Sequence, residues 1–433
     1  MSQAQLAGPD LSDSYVSLIE SGKRTPTPVV ARLLAERLGC TTEFLLHGIE
    51  PRQRIDTELG LRHAELELQH GDPYVAAERF GEIVKVAGEE NAMLAAHARF
   101  GRARALESQG RIGPAVEAFE RLRREAASHP ERLADLPLTV ALSRCYQHAG
   151  DTLRAYDLAT AALSQVERLV LNDGEIAVDL AAALMETEPA RRPHSPGLDY
   201  VRHVLSANGV PVAVNRIAEI RSLWEASIAA AEGEDSALAV RLADDAIAAG
   251  RPARLAFRLA HIAMDWSQLI VSFDTESLDE ARELASAASK VFGTFPEKAH
   301  DHTRSLVVLA SIQLSGGDPS GAADLARSAL MMPDALLGVT AATAQMVLAQ
   351  VSLATGEGDT VTILHSAREL LGSLRPGTSG PDREAARVWR RLGDLYGQAG
   401  AGEEQVSAYR KALETAGVRS AMVGMTVDSA LVR

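Results

Sequence analysis

The feature that most limits what this chain can become is a recurring punctuation: a glycine, often Gly-Asp, with an alanine about five residues later, set between Ala- and Leu-rich stretches of helical spacing. Gly71-Asp72, Gly110, Gly150-Asp151, Gly317-Asp318 and Gly400 are its clearest instances. The first three lie 39 and 40 residues apart. A period of that length holds one pair of helices, and a single pair cannot bury its apolar face alone, so the pairs must stack. From Arg54 to Val418 there is room for about nine such units.

The last unit is the most explicit. Trp389, Leu392, Gly393 and Tyr396, followed by Tyr409 and Ala412, resemble the W-x2-L-G-x2-Y signature of the tetratricopeptide (TPR) repeat. Ala103, Leu106, Gly110, Ala115 and Phe119 hold the equivalent small and large positions of the second unit, and Gly317, Ala322, Ala326 and Ala329 those of the seventh. An aromatic content of 4% beside 46% hydrophobic residues suits helices packed closely on alanine. The fourth unit is expected to be irregular, with EPARRPHSPG at 188–197 a Pro-rich loop. The tail after Val418 shows no periodicity.

Ahead of the array, residues 11–28 read LSDSYVSLIESGKRTPTP. Ser12 is a good N-cap and Leu11 can staple onto Val16, so a helix starts at Asp13. It ends near Ser21, where Gly22 can take the left-handed conformation. At 100° per residue Val16 and Ile19 share one face, while Ser14, Ser17, Leu18 and Ser21 share the opposite one. Short hydroxyls with an occasional apolar group suit base edges and thymine methyls in a major groove, and Lys23 and Arg24 would sit where the sugar-phosphate backbone runs. Upstream, Ser2 and Gln5 fit a capping box. Downstream, Thr27 and Pro28 open a helix that Gly39 closes, and a further short helix carries Phe44, Leu45 and Leu46.

SQAQLA, LSDSYVSLIESGKRTP, LLAERLG and TTEFLL, over about residues 2–48, together resemble the phage-repressor-type helix-turn-helix family of bacteria, often called XRE. The resemblance implies that Ser12 to Ser21 is the recognition helix, that Asp13, Ser14, Ser17 and Leu18, with Tyr15 beside them, read bases, and that Gln3, Lys23 and Arg24 hold phosphates. The family normally has a helix before SQAQLA, and the sequence begins at Met1 directly in front of it. On that basis the head is expected to lack its first helix and to bind DNA weakly.

The net charge of −14 argues against nucleic acid for the chain as a whole. The first 54 residues are different, with six Lys/Arg and six Asp/Glu, so the acidic excess belongs to the array and leaves contact with double-stranded DNA to the head. Cys40 and Cys145 have no metal-ligand spacing and are expected to be buried, reduced thiols. No signal segment and no apolar run of membrane-spanning length is present, so the expected location is cytoplasmic. There is no H-E-x-x-H, phosphate loop with Lys, G-x-S-x-G or C-x-x-C, and His300 and His302 face different sides of a helix. Neither an enzyme, a metal nor a cofactor has support.

The sequence thus predicts an all-α chain: a helix-turn-helix domain over residues 1–50, a TPR-like α-solenoid of about nine helix pairs over 51–418, and a tail over 419–433. If the repeat register holds, Phe100, Arg104, Arg144, Trp266 and Arg304 project from first helices toward a concave face, where Arg could grip a peptide carboxylate and aromatics its side chains. Asn215, beside Arg216 and Arg221, could bond a peptide backbone; interlayer packing and capping are the ordinary alternatives. A helix-turn-helix head on a TPR array resembles the bacterial RRNPP regulators. That resemblance implies a homodimeric transcription regulator whose array senses a peptide or protein ligand. The alternative is an interaction scaffold whose array binds a protein partner and whose head does not function.

Overall fold

The computed structural model describes residues 2–40, 42, 45, 51–87, 91–169, 174–187, 195–273, 277–332, 338–373 and 383–417. Among the described residues there is no strand. The chain is a small helix-turn-helix head followed by an α-solenoid.

The helices of the head that are described from end to end are α1 (Gln3–Ala7), α2 (Asp13–Glu20) and α3 (Pro28–Leu38). Their ends are set by the predicted caps. Ser2 Oγ accepts from the Gln5 amide while Gln5 Oε1 accepts from the Ser2 amide, Ser12 Oγ accepts from the Tyr15 amide, and Thr27 accepts from Val30. Each bond satisfies an amide that the first helical turn leaves free. Gly22 and Gly39 take the left-handed conformation at φ 70° and 69°. Leu6, Ala7, Val16 and Leu34 form the core, with Leu11, Ile19, Val30 and Leu45 packed against it. Arg37 Nη1 donates to the carbonyls of Leu6 and Ala7, and Nη2 bonds Asp10, tying α3 to the end of α1. Phe44 and Leu46 lie outside the described residues.

The array continues with α4 (Pro51–His70), α5 (Pro73–Ala87), α6 (Ala92–Ser108), α7 (Ile112–Ser128), α8 (Asp135–Ala149) and α9 (Thr152–Leu169). Next come α10 (Gly174–Thr187), α11 (Pro196–Asn208), α12 (Ile217–Glu232), α13 (Ser236–Phe273) and α14 (Leu278–Gly293). The last are α15 (Ala299–Ser315), α16 (Pro319–Leu330), α17 (Val339–Thr355), α18 (Thr360–Gly372), α19 (Arg383–Gln398) and α20 (Gly402–Thr415). α13 is 38 residues long with Pro252 inside it, and it serves as second helix of one pair and first helix of the next. Of the predicted Pro-rich loop, residues 188–194 lie outside the described residues, while Ser195 caps α11 and Pro196 opens it. The tail also lies outside them.

The chain divides into two compact units, one of residues 1–171 and 216–252, the other of 172–215 and 253–433. In the first, α4 packs on α12 and the early part of α13. Leu59 and Leu66 share a core with Ile220, Ala239, Ala243 and Ala246, and the Arg62 Nε to Asp244 and Ser236 Oγ to Asp56 bonds, both 2.9 Å, fasten its rim. A simple stack brings together only consecutive repeats; this contact joins residues 182 positions apart.

Close approach within pairs depends on small residues. Ser143 Oγ donates to the Ala155 carbonyl and Ser227 Oγ to that of Ala239, each at 2.7 Å, so a buried hydroxyl on the first helix bonds the backbone of the second. In the second unit Trp389, Leu392 and Tyr396 of the signature share a core with Met346, Leu364 and Leu371. A Cβ on Gly393 would come within 2.5 Å of the Tyr409 ring, which is why that position is glycine.

Candidate functional site

The head presents one face of α2. Val16 is buried and Ile19 half-buried, while Asp13, Ser14, Leu18 and Ser21 are exposed and Tyr15 and Ser17 half-exposed. Beyond the helix, the amides of Lys23 and Arg24 both donate to the Leu18 carbonyl, at 3.0 and 3.1 Å, which fixes the two cations close to the end of α2. The Arg24 guanidinium lies 4.7 Å from the centre of the Tyr15 ring, a cation–π contact that holds it against the helix. Gln3 Nε2 donates to Glu20 at 2.7 Å, so Gln3 is joined to α2. The eight head residues singled out in the sequence therefore lie on or beside one short helix. Arg37, which that reading missed, is the residue that braces the helix before it.

The array candidates fall in both units. Phe100, Arg104 and Arg144 belong to the first unit and Trp266 and Arg304 to the second. Phe100 packs edge-on to Phe119, ring centres 5.8 Å apart. Trp266 is buried, and its indole N–H is sealed without a partner. Asn215 is exposed in the segment leading into α12.

The arginines share a different geometry. Arg104 Nη1 of α6 bonds both carboxylate oxygens of Glu65 of α4, at 2.9 and 3.1 Å. Arg144 of α8 grips Glu107 of α6, and Arg304 Nη2 of α15 bonds Asp265 of α13 at 2.8 Å. Each joins the first helix of one pair to the first helix of the pair before it. A ligand carboxylate at any of the three would have to displace a carboxylate already in place. The sequence carried this signal unread, since Arg and acid stand 39, 37 and 39 residues apart, one repeat period.

In the second unit Arg304–Asp265 has further charged pairs near it that involve the same helices. His261 Nε2 meets Asp301 Oδ1 at 3.0 Å, and Arg258 pairs with Asp179 at 2.5 Å. Burial pushes the Asp265 carboxyl above the usual carboxylate range, Arg304 and His261 oppose that, and the charge of Glu384 on α19 adds to it. Yet 32% of the Asp265 side chain remains open to solvent. Charges on α13, α15 and α19 therefore all act on this one carboxyl. On α19, Arg391 donates from Nη2 to the Gln350 amide oxygen of α17 at 3.1 Å.

A separate open cavity of about 490 Å³ lies between Val210–Ala213 and α14, and it contains none of the predicted residues. Cys145 is buried, with its thiol pushed up to about 12 by burial and the nearby Glu107 charge; Cys40 is only half-buried, where full burial was expected. Among the described residues no group of three or more His, Cys, Asp or Glu is placed to hold a metal, and no helix is long and apolar enough to cross a membrane.

Residues 1–45 match the helix-turn-helix family. No curated protein matches the chain. Among solved structures it is similar to the apo form of the quorum sensor NprR from B. thuringiensis, at 11% identity over 95% of this chain and 98% of that one, with a TM-score of 0.49. It is similar also to the apo form of RapI, at 14% identity, 95% and 96% coverage and a TM-score of 0.46. A Rap protein complexed with competence and sporulation factor gives 13% identity, 93% and 90% coverage and a TM-score of 0.40.

Proposed function

We propose that the chain is a transcription regulator that reads double-stranded DNA with α2 and takes a peptide or protein ligand in its array. The observation that carries this reading is the face of α2. It offers Ser14, Ser17 and Leu18 outward, is flanked by two anchored cations, and lies within the segment that matches the helix-turn-helix family. Hydroxyls reach base edges while Lys23 and Arg24 hold phosphates. The acidic array would be repelled from the duplex, which leaves contact to the head.

The regulator acts as a homodimer, its two heads reaching half-sites about 34 Å apart. A ligand bound beside the charged groups of the second unit alters the head through the array, with a coupling on the order of 1–3 kcal/mol. Repeated selection from a random duplex library, at low salt and with the intact chain, tests this reading. Enrichment of a two-fold symmetric sequence is the expected result. If no sequence is enriched, the reading falls and the array becomes a scaffold for a protein partner.

A further inference from the structure

Among the described residues, three of the four arginine contacts that reach 37–41 residues back along the chain meet a carboxylate: Arg104 on Glu65, Arg144 on Glu107 and Arg304 on Asp265. In the fourth, Arg391 meets the amide of Gln350 instead. Among the described residues no carboxylate lies within ion-pair distance of Arg391. Asp394, one helical turn further on, accepts the Tyr409 hydroxyl at 2.7 Å.

The setting makes that exception costly. Arg391 is half-buried, and burial depresses its pKa while Asp394 opposes the shift only in part. A guanidinium keeps its charge in such a place, and an amide oxygen meets only one of its five N–H groups without neutralising it. The remaining donors are not sealed off, because no Arg391 nitrogen is among the side-chain atoms both buried and unpartnered. The fork is charged, fixed at one tip by Gln350 and not completely sealed from solvent elsewhere.

We propose that Arg391, oriented by Gln350, is the anchor for a carboxylate of the ligand that enters the second unit. This rests on the reading of the array as a ligand-binding domain and adds the chemistry of one contact. The carboxylate completes the pairing that the other three arginines find within the chain, with two parallel N–H···O bonds replacing water. Either a peptide C-terminus or an acidic side chain supplies that group.

Thermal unfolding of the intact chain in sodium acetate, against sodium chloride at equal ionic strength, gives the first test. A group that binds only the folded state raises the midpoint. The native chain is expected to gain stability from acetate, and Arg391→Gln to lose that gain. Gln350→Glu supplies an internal carboxylate: it should raise the midpoint without acetate and abolish the response to it. An undiminished acetate response in Arg391→Gln overturns the proposal. So does a Gln350→Glu chain that is no more stable and still responds.

An N-acetylated alanine tripeptide then distinguishes the two sources, as free acid, as C-terminal amide, and as an amide with aspartate in the middle. The form that binds should lose roughly tenfold in affinity or more in Arg391→Gln. If none of the three binds with a dependence on Arg391, the proposal fails. These readouts contain no DNA, so a head that selects no sequence leaves them unaffected.

Discussion

Arg144 holds Glu107 by two parallel bonds, Nε to Oε1 at 2.5 Å and Nη2 to Oε2 at 2.9 Å. Glu107 keeps only 10% of its side chain exposed and Arg144 30%, so the pair is largely screened from water. Removing one partner leaves the other's charge in a poor solvent, whereas removing both does not. Glu107→Gln should therefore lower stability by about 1–3 kcal/mol in urea unfolding. Glu107→Leu with Arg144→Met should lose less than the sum of its two single changes. Additive losses would mean that the two side chains do not interact in solution.

In the head, the Tyr15–Arg24 contact predicts a salt effect. Arg24→Gln should weaken binding to every duplex by a similar factor and reduce the slope of log affinity against log salt by about one. Ser17→Ala should leave that slope unchanged and relax preference at one base pair. Anisotropy titrations across a salt series separate the two. A change of slope in Ser17→Ala would remove it from the base-reading set.

Gly393→Ala drives a Cβ into the Tyr409 ring at 2.5 Å. The ring must shift, which breaks its hydroxyl bond to Asp394. A loss of about 1–3 kcal/mol in chemical denaturation is expected. The same substitution at Gly113, where nothing lies within 4 Å, should cost far less than that.

His63 makes the α4–α12 contact sensitive to pH. Its Nε2 lies 2.9 Å from Ser227 Oγ, and burial, helped by the Arg79 charge, lowers its pKa from 6.5. The folded ring binds protons less readily than the unfolded one. Its contribution is therefore intact above about pH 6.5 and is lost as pH falls below that toward the lowered folded value. Between pH 7.5 and 5.5 the native chain should lose more thermal stability than His63→Gln. Parallel curves would show that His63 does not titrate in this contact.

Much of this architecture was legible because its causes are local. Ser2, Ser12 and Thr27 cap helices within three residues of themselves, and Trp389 to Tyr396 lie along a single helix. The cross-layer arginines were half-legible: their positions could be read, but their partners lie one repeat period away, where a scan for neighbouring charges does not look. The packing of α4 on α12 and α13 left no periodic trace at all. Gly250-Arg251-Pro252 reads locally as a break, yet α13 runs through it. A proline inside a helix removes one backbone bond and crowds the carbonyl four residues before it, and packing over the rest of the helix can outweigh that.

The union of α4 with α13 also sets a schedule for the newborn chain. Arg62 precedes Asp244 by 182 residues, so at synthesis rates of about 5–20 residues per second the first array helix waits on the order of 10–40 s for its partner. During that interval Leu59 and Leu66 have no core to enter. A ribosome-bound fragment ending before residue 216 lacks the residues of α12 and α13 that cover those two leucines.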